Sequence, residues 1–162
     1  MSQKRRIAAL AALAVFLVLA AAGCGSSNSG SSSKALVAAA DPICHKVAVQ
    51  REKANAALSA ASSSSTQTLK VLAQVAPGVA AIEHSAVSEL SNLRQSGYHS
   101  KAWQTLLTGM RLLANDTTKL ATYAKTKDLG AVHSVIASGK QIRDQLTVIA
   151  KNQGFTYCGS TS

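Results

Sequence analysis

Cys24, Cys44 and Cys158 are the residues whose chemistry this sequence specifies most narrowly. A thiol can pair, bind metal, attack an electrophile or carry a lipid. No Cys-x-x-Cys pair is present, so dithiol redox catalysis has no motif. His45, His84, His99 and His133 show no His-x-x-x-His or Glu-x-x-His spacing, which would put two metal ligands on one helix face. Glu83 and His84 are adjacent and therefore project to different sides of a helix. These histidines read as surface residues. Gly139-Lys140 is followed by Gln141 in a helical stretch, so it is no phosphate loop. No Gly-x-Ser-x-Gly turn presents a serine nucleophile. The seven Asp and Glu residues form no cluster of the glycosidase kind. No catalytic, metal or cofactor motif emerges, and an enzyme is the least supported class.

What positions the cysteines is helical. Alanine is abundant, aromatics are only 4% and there are two prolines, which favours helix over sheet. Asp41-Pro42 has the form of an N-cap followed by Pro at the first helical position. Ile43, Val47, Ala54 and Leu58 then share a face, predicting a first helix to about Ser62. The residues before it, 35–40, would add at most a turn or two upstream. Leu69, Leu72, Val75, Val79, Ile82, Ala86, Leu90 and Leu93 hold one helical phase through Pro77. That predicts a single second helix, about Thr66 to Gln95, kinked at Pro77-Gly78.

A loop at 96–100 precedes a third helix with the clearest seam: Trp103, Leu106, Met110, Leu113, Thr117, Leu120 and Ala124. This places the lone Trp between helices. Small seam residues at Ala86, Gly109 and Gly139 either leave room or permit close packing. Asp128 caps a fourth helix whose stripe is Leu129, Val132, Ile136, Gly139, Ile142, Leu146 and Ile149, and Gly154 ends it. Short connections favour an all-α, antiparallel, up-down-up-down four-helix bundle over residues 41–159. Such a path returns Cys158 to the pole where Cys44 begins, so the two are expected to be disulfide-bonded in an oxidising compartment.

Ahead of the bundle, Lys4-Arg5-Arg6 is a positive start and Ile7 to Ala21 an apolar run of about 15 residues, short for a spanning helix. Small residues Ala22-Gly23 precede Cys24. The segment Leu19-Ala20-Ala21-Ala22-Gly23-Cys24 resembles the lipobox of bacterial lipoproteins, with Ala21 where Leu is usual. The resemblance implies removal of 1–23 as a signal peptide, diacylglyceryl transfer to Cys24 and a lipid anchor facing outside the cytoplasm. Residues 24–40 then read as lipidated cysteine and a Ser/Gly-rich linker, with a short tail at 160–162. The bundle ends carry a second resemblance. Asp41-Pro42-Ile43-Cys44 and Gly154-Phe155-Thr156-Tyr157-Cys158-Gly159 are similar to the termini of small exported helical proteins of actinobacteria. That likeness implies the fold and the disulfide, and carries no active site across.

Seventeen Lys and Arg against seven Asp and Glu give +10, and loss of Lys4, Arg5 and Arg6 with a leader leaves +7. A basic exported surface suits anionic lipid or cell-wall polymer, and nucleic acid is not an expected partner. Tyr98, His99 and Lys101, at the loop before the third helix, form a candidate surface patch. The expected function is a membrane-anchored, non-catalytic envelope module binding an unidentified envelope protein or wall partner. The alternative is a carrier of a small apolar ligand between the helices. Lipidation has a direct test: mass spectrometry of the mature N-terminus should find acylated Cys24 and no residues 1–23, and Cys24→Ser should release the protein from membranes or stall its processing.

Overall fold

The computed structural model describes residues 29–61, 64–93 and 99–159, with side chains from residue 34 onward. The expected signal segment 1–23, Cys24, Tyr98 and the tail lie outside the described residues. Four helices follow in order: α1 (Ser29–Ala60), α2 (Ser65–Ser91), α3 (Lys101–Thr126) and α4 (Leu129–Gln153). They form an all-α bundle in which α1 packs on α2, α2 on α3 and α3 on α4, the α2–α3 contact being the most extensive. No comparable backbone contact joins α1 to α4. None of the described helices is long and apolar enough to cross a membrane.

The helix start expected at Asp41 is corrected: α1 begins at Ser29 and runs through Pro42. Pro42 has no N–H for the Ala38 carbonyl, and an interior proline costs about 3 kcal/mol. Two gains offset that cost. Leu36 and Ala40 are buried in the core, so the upstream turns bury apolar surface. Asp41 uses its carboxylate elsewhere: the backbone N–H groups of Thr156, Tyr157 and Cys158 donate to it, Thr156 at 2.9 Å. α2 is likewise one helix through Pro77, whose side chain faces solvent.

The remaining ends follow from local chemistry. The Ser64 side chain accepts from the Gln67 N–H, Ser100 from Trp103 and Asp128 from Ala131. Gly154 leaves α4 at φ 82°, the left-handed region that favours glycine. Gly159 has φ 79°, and a Cβ there would stand 2.7 Å from the Leu146 carbonyl oxygen. Its lack of a side chain lets the last turn lie against α4, where the Gly159 carbonyl accepts from the Thr147 hydroxyl.

Two apolar clusters fill the bundle. One surrounds the disulfide pole and includes Leu36, Cys44, Leu90, Trp103, Leu106, Leu146 and Phe155. Trp103 is buried as its seam position predicts, stacked on Phe155 with ring centroids 5.7 Å apart. Gly109 brings α3 against α4, since a Cβ would come within 2.5 Å of Leu146. The second cluster, toward the other pole, holds Leu69, Leu72, Ala76, Ala121, Ala124 and Val132. Ile136, expected in the α4 seam, is instead 46% exposed because no α1 surface covers it.

Cys44 and Cys158 are bonded, with Cα atoms 4.9 Å apart and a separation of 114 positions in sequence. Closing so long a loop restricts the unfolded chain, an effect typically of about 2–4 kcal/mol. The Cys44→Ser/Cys158→Ser double variant should therefore melt about 5–15 °C lower while keeping its helical circular dichroism.

Candidate functional site

Where α1 and α4 stand apart, a cleft of about 330 Å³ opens that all four helices line. Its inner wall is apolar, made by Leu72, Val75, Ala76 and Val79 of α2 with Leu113 and Leu120 of α3. Ala54 and Leu58 of α1 and Val135, Ile136 and Gly139 of α4 form its sides. Such a volume is at the lower end of small-molecule sites, roughly 300–1,000 Å³.

One boundary of the cleft is ionic. Glu83 on α2 is 4% exposed, and its Oε1 accepts from Arg51 Nε on α1 at 2.8 Å. Its Oε2 is fully buried and has no hydrogen-bond partner. Arg143 on α4 faces the same pair, and no carboxylate lies within ion-pair distance of it among the described residues. Burial first, then repulsion from Arg51, holds the Arg143 guanidinium below its ordinary value against the opposing pull of Glu83 and Asp144. An arginine so lowered still carries its charge at neutral pH. The trio thus holds two positive charges and one negative. Gly139 leaves room for it: a Cβ there would stand 3.3 Å from Arg143 Nη1. Arg51 and Arg143 also line a second space of about 20 Å³ on the disulfide side, room for a single water. Asp116, also on the cleft, is engaged by Lys119 Nζ at 3.1 Å and by the Ser138 hydroxyl at 3.4 Å.

The described residues that the sequence singled out for chemistry lie elsewhere. Cys44 and Cys158 meet as a disulfide at the bundle pole, beside a His45–Tyr157 ring contact of 4.2 Å. His99 and Lys101 are exposed at the start of α3, away from the cleft. His84 turns outward to the Thr118 hydroxyl at 3.1 Å while its neighbour Glu83 turns in to Arg51. Among the described residues no three His, Cys, Asp or Glu side chains are placed to hold a metal ion. No protein-family model matches the chain, and neither a curated protein nor a solved structure does.

Arg51, Glu83 and Arg143 were not among the sequence candidates, yet a signal for them exists. Leu69, Ala76, Glu83 and Leu90 follow at seven-residue steps, and all four are buried. Arg51 stands seven residues from both Cys44 and Leu58, and Arg143 seven from both Ile136 and Ala150. A charge in seam register on three helices marks a polar layer inside a bundle. Glu83→Ala would leave Arg51 and Arg143 without their anion. Stability should fall by about 2–3 kcal/mol in urea denaturation, less than for a fully buried pair because Arg51 is 21% exposed. Adding Arg51→Met should recover part of that loss.

Proposed function

We propose that this chain is an exported lipoprotein, held to the outer side of the cell membrane by lipid on Cys24, whose helical domain is a non-catalytic binding module. The order of positive start, apolar run and small residues ending at Cys24 supports the anchor. The basic surface adds attraction to anionic lipid or wall polymer, a contribution that salt screens. Of the ligand classes open to such a module, a small molecule with an apolar body, carried between the helices, has the strongest support. The single observation that carries it is the cleft, walled by aliphatic side chains from all four helices.

Ile136 supplies the test. It stands half-exposed on the cleft wall, so a larger side chain there can fill the space without entering either core cluster. Ile136→Trp should keep the melting temperature within about 3 °C, since surface substitutions usually change stability by under ~0.5 kcal/mol. It should abolish the thermal stabilisation that medium-chain alcohols give the native protein. An absence of stabilisation by any apolar compound in the native protein, or stabilisation unchanged in Ile136→Trp, counts against the cleft as the binding site.

A further inference from the structure

The charges and hydrogen bonds of the cleft lining limit what it can receive. Four charged side chains line it, Arg51, Arg143, Glu83 and Asp116, two of each sign. An ion of either charge would shed water to enter a space with no net charge to meet it. The lining carboxylates are also spent. Glu83 Oε1 accepts from Arg51, and Oε2 is fully buried. Asp116 Oδ1 accepts from Lys119 Nζ and Oδ2 from the Ser138 hydroxyl. The unspent capacity is on the donor side. The Arg143 guanidinium lies beside Gly139, itself part of the lining, and no carboxylate among the described residues is within ion-pair distance of it. Burial holds it below its ordinary pKa, so part of its hydration is already lost.

We infer that the cleft binds an uncharged single-chain compound whose head accepts a hydrogen bond and donates none, an aliphatic ketone or ester in chemical class. The inference deepens the carrier reading and rests on the cleft being the binding site. The ligand carbonyl oxygen accepts from the Arg143 guanidinium, a charge-assisted bond that needs no charge on the ligand. A hydroxyl head gains less, because no carboxylate of the lining is free to accept its proton. The tail runs along Leu58, Leu72, Val75, Leu120 and Ile136, from the ionic layer toward the second apolar cluster. Arg143 and Ile136 are seven residues apart on α4, about 10 Å of helix, which suits one short chain.

A ligand series on the native protein tests this without relying on any variant. The full-length protein in phosphatidylcholine vesicles is photolabelled with a 2-octanone analogue bearing a diazirine at the far end of its chain, and the labelled residues are mapped by mass spectrometry. Label should fall on the cleft-lining stretches of the four helices. 2-Octanone should displace it at about fivefold lower free concentration than 1-octanol, as expected for a hydrogen bond from a charged donor. Octanoate and octylamine should both be weaker than 1-octanol. Arg143→Met should erase the preference for ketone over alcohol. It also leaves the lining with negative charge in excess, so octylamine should then displace better than octanoate. Asp116→Asn leaves positive charge in excess and should reverse that order. Octanoate or octylamine outcompeting 2-octanone on the native protein would overturn the uncharged assignment. Equal displacement by ketone and alcohol, or a ketone preference that survives Arg143→Met, would overturn the acceptor head on Arg143. These outcomes leave the cleft as a binding site. Label outside the cleft, or label that no competitor displaces, would overturn the carrier reading as well. Labelling that falls as phospholipid is raised at constant free probe concentration would make a bilayer ester the occupant and overturn the single-chain assignment.

Discussion

The closure of α1 onto the segment after α4 is the constraint on which the rest of this molecule depends. α1 and α4 have no broad backbone contact, so the bundle is not sealed by helix packing on that side. It is sealed at one pole by the Cys44–Cys158 bond and by the Asp41 carboxylate, which gathers the N–H groups that follow α4. The two devices are complementary. The bond limits how far the chain can separate, while the carboxylate fixes the orientation of the final turn and gives three backbone N–H groups beyond the helix end a partner. With one pole fixed, the helices can stand apart further along without the fold losing its closure.

The mid-bundle layer of Arg51, Glu83 and Arg143 lies between the two apolar clusters in the order of every helix that contributes to it. A buried ion pair adds little net stability, because desolvation consumes most of the attraction. Its structural effect is on register: a slip of α1 along α2 would bury Glu83 without its cation. The same layer puts charge on one boundary of a cleft whose inner wall is aliphatic. Register therefore rests on side chains that also border the cleft.

Much of the fold could be read from local chemistry. The α3 seam, the Asp128 cap, the Gly154 stop and continuity through Pro77 depend on periodicity and on residues acting within a few positions of themselves. The pairing of Cys44 with Cys158 followed from topology. Asp41-Pro42 misled because both residues satisfy the local rule for a helix start, while the Asp41 side chain is committed 115 residues away. Ile136 misled because an apolar stripe says which face is buried only if a neighbour covers it. The ionic layer escaped a search for adjacent chemical motifs because its members come from three helices and meet only in three dimensions.

The early start of α1 also sets a length scale. Only five steps of chain separate Cys24 from Ser29, at most about 18 Å of extended backbone. From Ser29 the helix rises about 1.5 Å per residue, which carries Arg51 roughly 33 Å along a stiff rod. For a domain tethered by lipid at Cys24, α1 is then a mast: its foot is confined near the headgroups, and its tilt decides the height of the cleft. An upright domain would hold that mouth well clear of the bilayer, and one lying over would bring it down to the lipid surface.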